Sequence, residues 1–461
     1  MFRKDINIHF VGIGGIGMSG IAELLRNLGY SVTGSDLQRS EVTERLEGLG
    51  VKIAYRHSTE NVADDVDVLV YSSAVKRDNP EVAVAEDRKI PVIPRAEMLG
   101  ELMRMKYSIA VAGSHGKTTT TSMISMILAA AGWDPTIVVG GKLKALGSNA
   151  RLGKGEFLVA EADESDGSFL RLIPTVAVVT NIDPEHLDHF GDLEALKDAF
   201  ADFLDRLPFF GFAVLCLDHP NVQDLLPGVK RRVITYGYSR QADYVVGNVE
   251  KGWLYVSFSP QIRGEQREKI RLNLPGGHNA ANALAAVAVC SELGVPYEKI
   301  KQGLESFSGV ARRFELKGER GGVIVVDDYG HHPEEIKSTI QAARDVTSDR
   351  RLVVVFQPHR YTRTRDLFRE FTMAFNDADV ALVMEIYGAG EEPIEGVTGE
   401  GMFEGIKGHG HREIYFQSSV EDAVDFLEAF AKKGDMILTL GAGNVYRVGE
   451  KFLKKGGSDE K

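Results

Sequence analysis

The sequence predicts an α/β fold with three consecutive domains, each built on a largely parallel sheet. Ten short apolar runs rich in Val and Ile alternate with helical stretches, from INIHFV near the start to DMILTLGAG near the end. Runs that are apolar on both faces are typical of parallel strands covered by helices on each side. The chain has 461 residues, whereas a single core stops growing near about 250 to 300 residues. Several domains are therefore expected.

The alternation of strands and helices restarts twice, and the restarts place the domain boundaries. One new strand precedes a glycine loop at Gly113, and another begins at Val323. We therefore predict domains over residues 1–106, 107–312 and 313–461, of which the first and third have the size of Rossmann-like domains. Between Arg232 and Leu274, alternating segments such as GWLYVSFS predict a small antiparallel patch within the central domain.

The composition is that of a globular protein with an acidic surface. It contains 54 Lys and Arg against 66 Asp and Glu, a formal charge of −12, which disfavours binding to nucleic acid or to anionic lipid. No apolar run approaches the roughly 18 residues of a membrane span and no signal peptide is recognised, so a cytoplasmic protein is expected. Cys216 and Cys290 lie in apolar segments without metal or disulfide spacing, and both are predicted to be buried.

The first strand runs directly into a glycine loop of the kind that holds diphosphates. Gly12, Gly14 and Gly17 satisfy G-x-G-x-x-G, and the segment after them has the apolar spacing of a helix. Glycines let the backbone approach a pyrophosphate, and the helix N-terminus offers unpaired N–H groups. Asp36 follows the next strand, where an acidic residue would meet a ribose hydroxyl. A nucleoside joined to a diphosphate is therefore expected, and NAD, FAD and a UDP-sugar all fit.

The second glycine loop, GSHGKTTTT, is typical of an ATP-binding P-loop. Lys117 can reach the β- and γ-phosphates, and Thr118 can ligate Mg²⁺ at the start of the following helix. The spelling is short, because Gly113 gives G-x-x-G-K-T while Val111 stands five residues before Gly116. The strand before the loop and the helix after it favour a phosphate site, so the central domain is predicted to be of the P-loop ATPase type.

Acidic and histidine residues follow two further strands of the central domain. Glu161 ends one strand, with Asp163 and Glu164 close behind it. The segment TNIDPEHLDHFG follows the next strand and contains His186, Asp188 and His189. Because P-loops need a second Mg²⁺ ligand at the end of a neighbouring strand, these groups predict a metal and phosphate site at this edge of the sheet.

Seven motifs together carry a resemblance to a known family: GxxGKT, EADESDGSFL, TNIDPEHLDHFGD, PGGHNAANALAA, ARRFE, DDYGHHPEE and QPHRYTRTRDL. From Ile8 to Gly443 the chain resembles the Mur ligases of bacterial cell-wall synthesis. HFVGIGGIGMSG, HHPEE and HRYTRTRDL are similar in particular to the members that add L-alanine. The resemblance implies an ATP-dependent ligase that joins L-alanine to the lactyl carboxylate of UDP-N-acetylmuramate through an acyl phosphate, in the synthesis of peptidoglycan precursors.

The resemblance also implies that the first loop holds the sugar nucleotide and the second holds ATP. The UDP-sugar site would comprise Gly12, Gly14, Gly15, Ile16, Gly17, Asp36, Ser72 and Ser73. The ATP site would comprise Gly113, Ser114, His115, Gly116, Lys117, Thr118, Thr119, Asn279, Asn282, Arg313 and Asp328. Asn279 and Asn282 would face the adenine, and Asp327 stays an alternative to Asp328 at the ribose.

Metal, catalytic and amino-acid sites follow from the same resemblance. Two Mg²⁺ ions, which Mn²⁺ could replace, would be held by Thr118, Glu161 and His186. Lys117, His186 and Arg313 would be catalytic, with Arg313 on the γ-phosphate. Tyr329, His331, Arg360 and Arg363 would bind the amino acid, and guanidinium donors suit its α-carboxylate.

One position departs from several members of the family. Those members carry a carbamylated lysine in a helix after the DHxD motif, where it bridges two metals. Counting along HLDHFGDLEALKDAF puts Phe200 at that place. The L-alanine-adding members also lack this lysine, so Phe200 supports that assignment and leaves the full ligand shell of the second metal open.

Three alternatives stay open on the sequence. A sister ligase that adds another amino acid or a peptide to the same sugar nucleotide shares most of the motifs. An NAD-dependent oxidoreductase explains Asp36 and the first loop but leaves Lys117 and Arg313 without a role. A nucleotide switch leaves the amino-acid motifs unexplained. The expected partners are small-molecule substrates, without nucleic acid or membrane insertion, in a monomer or a weak homodimer.

Overall fold

The computed structural model describes residues 5–72, 74–143, 148–347 and 350–455. The chain forms two compact units. Unit 1 comprises Met1–Gly247, Ser259–Ile270 and Ala281–Ser308, and unit 2 comprises Asn248–Phe258, Arg271–Ala280 and Gly309–Lys461.

The first part of unit 1 is a five-stranded parallel sheet with strand order β3-β2-β1-β4-β5. Its strands are β1 (Asn7–Val11), β2 (Ser31–Ser35), β3 (Lys52–Ala54), β4 (Val68–Tyr71) and β5 (Val92–Pro94). Its helices are α1 (Ile16–Asn27), α2 (Glu41–Gly48), α3 (Pro80–Asp87) and α4 (Arg95–Met103). The strand order reverses between β1 and β4, and ligands of such sheets bind in the crevice at the carboxyl ends of those strands.

The central sheet contains β6 (Tyr107–Ala112), β7 (Thr136–Leu143), β8 (Ser148–Arg151), β9 (Phe157–Glu161), β10 (Val176–Val179), β11 (Phe212–Cys216), β12 (Arg232–Gly237), β13 (Tyr244–Gly252), β14 (Tyr255–Ile262), β15 (Glu265–Gln266) and β16 (Ile270–Leu272). Its helices are α5 (Lys117–Ala130), α6 (Leu187–Phe190), α7 (Leu193–Asp205), α8 (Pro220–Gln223), α9 (Gly277–Glu292) and α10 (Tyr297–Glu305). Strands β12-β11-β10-β6-β9-β7 are parallel in that order. The carboxyl ends of β10, β6 and β9 therefore lie side by side.

The predicted small antiparallel patch is present in the central sheet. Antiparallel pairing joins β14 to β15, but β12 pairs in parallel with β11 and with the start of β13. Helix α8 lies between β11 and β12 and supplies the crossover that a parallel pair requires. Strand β12, at the start of the predicted region, therefore belongs to the parallel part of the sheet. A second antiparallel pair, β7 with β8, was not predicted.

Unit 2 contains a six-stranded sheet with strand order β17-β18-β22-β19-β20-β21. The strands are β17 (Glu315–Arg320), β18 (Val323–Asp328), β19 (Leu352–Phe356), β20 (Val380–Met384), β21 (Ile414–Gln417) and β22 (Met436–Leu440). The helices are α11 (Pro333–Val346), α12 (Tyr361–Asp366), α13 (Phe368–Thr372), α14 (Gly399–Gly408), α15 (Val420–Phe430) and α16 (Tyr446–Lys455). Within the described residues, β17 pairs antiparallel with β18, and the other strand pairs of this sheet are parallel.

Burial explains why these apolar runs are strands. Every residue of β18, β19, β20 and β22 is buried, and their alternate side chains enter two separate cores on the two faces of the sheet. All ten predicted strands are present. Cys216 and Cys290 are buried free thiols, as predicted. Among the described residues, no helix is both long and apolar enough to cross a membrane.

Short polar side chains set where several helices begin. Ser40 and Thr43 form a reciprocal capping box at α2, and Asn79 caps α3 with Pro80 in its first turn. Asp192 accepts from the Ala195 amide at α7. These caps satisfy backbone N–H groups that have no partner within the helix, which contributes about 1 kcal/mol each.

A buried carboxylate on α3 ties the first sheet to the loop after β3. Glu81 is 0% exposed. Its oxygens accept five hydrogen bonds: from His9 Nε2, Ser35 Oγ and Asn61 Nδ2 at 2.8 Å each, from the Ser58 amide at 3.1 Å, and from His57 Nδ1 at 3.2 Å. Burial alone would raise the pKa of Glu81, but the bonds from His9, Asn61 and Ser35 lower it to about 2. The charged form is therefore the one that the fold stabilises.

This pKa predicts a pH-dependent contribution to stability. Because the folded pKa lies below the ordinary value of 4.5, the contribution is present above pH 4.5 and is lost as the pH falls toward 2. We expect Glu81→Gln to lower the free energy of unfolding by about 3 kcal/mol at pH 6, and by less than half of that near pH 3. Denaturant unfolding at a series of pH values measures the difference.

Glu60→Gln is the matched control for this experiment. The Glu60 side chain is 76% exposed and pairs with Arg56 on the surface, so its removal should change the stability by less than about 1 kcal/mol at every pH. A difference between wild type and Glu81→Gln that stays constant from pH 6 to pH 3 would contradict the argument.

Candidate active site

The first glycine loop lies at the carboxyl end of β1, as predicted, and is held by its neighbours. Gly12 has a φ of +78°, and its amide donates to Ser35 O at 2.9 Å. The Gly14 amide donates to Asp36 Oδ2 at 2.8 Å. A Cβ on Gly14 would lie 2.8 Å from that oxygen. Asp36 therefore fixes the loop conformation in addition to any contact that it makes with a ligand.

A cavity of about 440 Å³ opens beside this loop. Gly12 and Gly15 line it at one end, Asp36 lines it at the start of the loop after β2, and Ser72 lines it after β4. Gly17 lies inside α1, where a Cβ would meet the Arg95 side chain at 2.9 Å. Ile16 begins α1, but its side chain is outside the described residues, as is Ser73.

The second glycine loop connects β6 to α5. Gly113 and Gly116 have φ values of +128° and +82°. A Cβ on Gly113 would lie 2.2 Å from Thr180 Oγ1, and one on Gly116 would lie 2.6 Å from Asn282 Oδ1. Only glycine fits both the backbone conformation and the space.

Asn181, at the end of β10, binds the tip of this loop. Its Oδ1 accepts from the His115 amide at 2.7 Å, and its Nδ2 donates to His115 O at 3.1 Å. The amide of Ser114 donates to Asn181 O at 3.2 Å. These three hydrogen bonds fix the position of the loop at the N-terminus of α5, where Thr118 and Thr119 occupy the first turn.

Lys117 is folded back onto its own loop. Its Nζ donates to Gly113 O at 2.6 Å, to Ser114 O at 3.1 Å, and to both carboxylate oxygens of Glu164 at 2.8 Å. Burial alone lowers the pKa of Lys117, but the Glu164 and Asp163 carboxylates raise it above its ordinary value. Burial raises the pKa of Glu164, and Lys117 opposes that shift. The ammonium is therefore the cation around which these acids are buried.

Residues at the ends of β9 and β10 bring further metal-type ligands to the same edge. Glu161 ends β9, next to Val111 of β6. His186 has a φ of +58° at the start of α6, and its Nε2 lies 3.6 Å from Glu185 and 3.9 Å from Glu164. Donor atoms of Glu164, Glu185 and His186 lie within 4.8 Å of one another. Oxygen donors with one imidazole suit a divalent cation.

The other residues predicted at this edge are placed differently. His189 is exposed, with Nε2 2.7 Å from where a Cβ on Gly167 would be. The Asp188 side chain is outside the described residues. Phe200 is fully buried in α7 and packs on Phe169 with ring centroids 5.2 Å apart. No carbamate can form on Phe200.

The two asparagines predicted to contact the adenine have different neighbours. Asn279 and Asn282 both lie on α9. Asn279 Nδ2 donates to the Pro275 carbonyl at 2.7 Å, and its side chain is buried. Asn282 lies against Gly116 of the ATP-type loop. The position of Asn282 fits a nucleotide contact, whereas the described contact of Asn279 is with its own helix start.

In unit 2, the two consecutive aspartates at the end of β18 are bound to the chain itself. Asp327 accepts from Arg312 Nε at 3.0 Å and from Thr439 Oγ1 at 2.6 Å. Asp328 accepts from the amides of Phe314 and Gly330, both at 2.7 Å. Burial raises the pKa of Asp328 to about 6. A ribose contact by either aspartate therefore competes with these bonds.

Arg312 organises this corner of unit 2, and Arg313 lies beside it. Arg312 donates to Gly441 O at 2.6 Å and Gly443 O at 3.1 Å, with its guanidinium 5.0 Å from the centre of the Tyr329 ring. Arg313 Nη1 lies 3.3 Å from Glu335 Oε1, and its guanidinium is 5.3 Å from the same ring centre. Tyr329 is thus covered by two cations.

The four residues predicted to bind the amino acid lie at the carboxyl ends of β18 and β19. His331 contacts the edge of Tyr329, and its Nδ1 lies 3.0 Å from Tyr329 O. Burial lowers the pKa of His331 well below its usual value. Arg363 Nη1 donates to His359 Nδ1 at 3.3 Å. Arg360 is exposed at the start of α12.

Arg360 has a φ of +70°, which is strained for a residue with a side chain. Its amide donates to Tyr387 O at 2.9 Å, and the His359 ring stacks on Tyr387 with centroids 5.7 Å apart. The His359 ring lies 5.8 Å from His331. His359 therefore contacts both His331 and Arg363. The backbone of Arg360 is held by its hydrogen bond to Tyr387.

Sequence reasoning missed Asp183 and Glu185, which lie beside the predicted residue His115, and His219, which lies beside Asp183. His115 Nε2 lies 3.2 Å from Asp183 and 3.2 Å from Glu185, and His219 Nε2 lies 3.2 Å from Asp183. Burial alone raises the pKa of Asp183, but the two histidines lower it. Asp183 and Glu185 follow β10, so the rule of strand ends that selected His186 would also have selected them. His219, His359 and Tyr387 gave no such local signal.

Three domain models of one family match this chain along most of its length. The model described as "Mur ligase family, catalytic domain" matches residues 7–107. The "Mur ligase middle domain" matches residues 111–290, and the "Mur ligase, glutamate ligase domain" matches residues 312–443.

Known proteins similar to this chain agree with these matches. A UDP-N-acetylmuramate--L-alanine ligase from Geotalea daltonii is 58% identical over 455 residues, which cover 99% of both chains. The crystal structure of a UDP-N-acetylmuramate-alanine ligase from Thermotoga maritima has a TM-score of 0.82 at 29% identity, covering 99% of this chain and 100% of that one. A murein peptide ligase from Psychrobacter arcticus has a TM-score of 0.70 at 26% identity, covering 97% and 98%. This chain therefore belongs to the Mur ligase family.

Proposed function

We propose that this chain is an ATP-dependent ligase that joins L-alanine to the lactyl carboxylate of UDP-N-acetylmuramate, releasing ADP and phosphate, in peptidoglycan precursor synthesis. The observation that carries the proposal is the 58% identity over 99% of both chains to a ligase of that name. Because the match covers 99% of this chain, the compared region includes the P-loop, the acids at the strand ends and the ends of β18 and β19.

The reaction requires activation of a carboxylate, whose leaving group would otherwise be oxide. Transfer of the γ-phosphoryl group to the lactyl carboxylate makes an acyl phosphate, and attack by the free amine of L-alanine gives a tetrahedral intermediate that collapses to the amide and phosphate. Two anions approach each other in the first step, so positive charge at the P-loop is essential. Lys117 supplies that charge.

Lys117 changes partners when ATP binds. An ammonium has three donors, and at present they serve Gly113 O, Ser114 O and Glu164. We infer that the phosphates take over the two loop carbonyl bonds while Glu164 keeps its ion pair. The ion pair with Glu164 then holds Lys117 in place while its other donors face the phosphates.

Thr118, Glu161 and His186 would hold Mg²⁺, and Glu164 and Glu185 offer further oxygens beside His186. When bound there, Mg²⁺ would supply positive charge that offsets the negative charge of the phosphate and carboxylate groups. Phe200 occupies the place of the bridging carbamate in other members, so two ions here would rely on carboxylates at the strand ends.

The amino acid would bind at the β18–β19 corner of unit 2. The Arg363 and Arg360 guanidinium groups would take its α-carboxylate, and His331 and Tyr329 would line the site. Burial keeps His331 neutral, so it can accept a hydrogen bond from the amine without repelling it. Arg313 would reach the γ-phosphate.

The proposal also covers the domain boundaries, the cellular location and the oligomeric state. We infer domains at 1–106 for the sugar nucleotide, 107–312 for ATP and 313–461 for the amino acid, in a cytoplasmic enzyme that is a monomer or a weak homodimer. Each substrate would then dock mainly on one sheet edge.

The first test is phosphate release from ATP and Mg²⁺ with UDP-N-acetylmuramate, with each candidate amino acid, and with both together. We expect release that requires UDP-N-acetylmuramate and L-alanine, with the amide formed in equal amount. If a peptide or another amino acid works far better, the function belongs to a sister ligase, and release that needs neither substrate would contradict a ligase.

The second prediction concerns Lys117→Met. Loss of the ammonium should lower kcat by about 10³-fold or more, because no other cation reaches the transferred phosphoryl group from the P-loop. UDP binding, measured by calorimetry, should stay within about twofold of wild type, since the first glycine loop is separate. Lys197→Met is the control, because Lys197 lies on α7 and pairs with Glu194 of the same helix and with Asp224 at the end of α8. Equal losses of UDP affinity and activity would refute separate sites.

The third prediction concerns Arg363→Lys. The substitution keeps the charge but removes the planar pair of donors that matches a carboxylate, so KM for L-alanine should rise about tenfold or more, with a smaller change in KM for ATP. Arg365→Ala is the matched control on the same helix, because Arg365 is 54% exposed and pairs with Asp366. An unchanged KM for L-alanine in Arg363→Lys would remove Arg363 from the amino-acid site.

A further inference from the structure

His57 lies in the wall of the sugar-nucleotide cavity, although no sequence motif pointed to it. It lines the cavity of about 440 Å³ together with Gly12 and Asp36. Its side chain is 17% exposed, so it is neither a surface histidine nor a core one. It follows β3, the strand beside β2, and therefore approaches the cavity from the side opposite Ser72.

The two ring nitrogens of His57 have different surroundings. Nδ1 lies 3.1 Å from Ser35 Oγ and 3.2 Å from Glu81 Oε1. Because Glu81 is an acceptor and the Ser35 hydroxyl donates to the other Glu81 oxygen at 2.8 Å, Nδ1 must carry the proton toward Glu81. Within the described part of the chain, the hydrogen bonds of His57 involve Nδ1 and not Nε2.

We propose that His57 binds the nucleoside end of the sugar nucleotide through Nε2, and that Glu81 is the residue that positions it. The inference rests on the proposed function. Ser35, which touches the ring, immediately precedes Asp36, the predicted ribose contact. His57 therefore lies nearer the nucleoside than the diphosphate, which the Gly12–Gly17 loop would hold.

Glu81 is suited to positioning because its own place is fixed from several sides. Donors from β1, β2 and the loop after β3 converge on it, and it is fully buried on α3. A carboxylate held in this way can orient an imidazole and select its tautomer, since only the nitrogen that bears a proton can face it. A free His57 ring would lose part of its binding energy in being ordered by the ligand.

The experiment measures the affinity of the full chain for UDP and for UMP by calorimetry. His57→Ala should weaken both about tenfold, the loss expected for one hydrogen bond to a bound ligand. Equal losses for UDP and UMP place the contact at the nucleoside, whereas a loss for UDP alone would move it to the diphosphate and overturn the assignment. Unchanged affinity for both would overturn the proposal.

A double-mutant cycle separates positioning from general stability. Glu81→Gln should weaken UDP binding several-fold in the wild-type background and have no further effect in His57→Ala, because Glu81 acts through His57. An equal loss in both backgrounds would mean that Glu81 acts only on the fold. His9→Gln is the control, because His9 touches the other oxygen of Glu81 from β1; it should lower the thermal midpoint but leave UDP affinity within about twofold.

The proposed function and this inference fail in different ways. Wild-type protein that binds neither UDP nor UMP would count against the sugar-nucleotide substrate itself. Wild-type protein that binds both, with His57→Ala indistinguishable from it, would leave the ligase proposal intact and refute only the role of His57.

Discussion

The structure of the ATP-type site depends on one buried cation. Lys117 is 16% exposed and lies among carbonyl oxygens and the carboxylate of Glu164, with Asp163 and Glu185 near enough to raise its pKa. Burying a lone ammonium or a lone carboxylate costs several kcal/mol, and a pair survives only with good geometry and further hydrogen bonds. The two contacts from Nζ to Glu164 at 2.8 Å and the loop carbonyls meet that condition. The acids at this edge are therefore buried because Lys117 is there.

The three candidate sites all lie at the carboxyl ends of parallel strands. Parallel strands place their carboxyl ends together, so groups that are far apart in sequence become neighbours when they follow adjacent strands. Gly12 and Ser72 meet in this way after β1 and β4. Lys117, Glu161 and His186 follow β6, β9 and β10. In unit 2, β22 lies between β18 and β19, so Gly441 and Gly443 reach Arg312 beside the candidate amino-acid site.

The sequence predicted the ten main strands because their Val- and Ile-rich runs are buried on both faces and carry a signal independent of neighbours. It also predicted the glycine loops, since Gly113 and Gly116 require backbone conformations that other residues avoid. It predicted the small antiparallel patch but not the parallel pairing of β12, because the pairing direction of β12 depends on which strand it meets and not on its own residues. His57, His359 and Tyr387 were missed for a similar reason: tertiary packing alone gives them their neighbours.

The two buried glutamates show how far the surroundings decide what a residue does. Glu81 and Glu164 are both almost fully buried, and burial raises the pKa of each. Glu81 receives five donors, all neutral or on histidine, and its pKa falls to about 2. Glu164 has Lys117 as its strong partner but shares the site with Asp163, and its pKa rises. The first carboxylate is a fixed anion that orients a neighbouring ring. The second is balanced between the Lys117 ammonium and the neighbouring Asp163, so its pKa is set by the charges beside it.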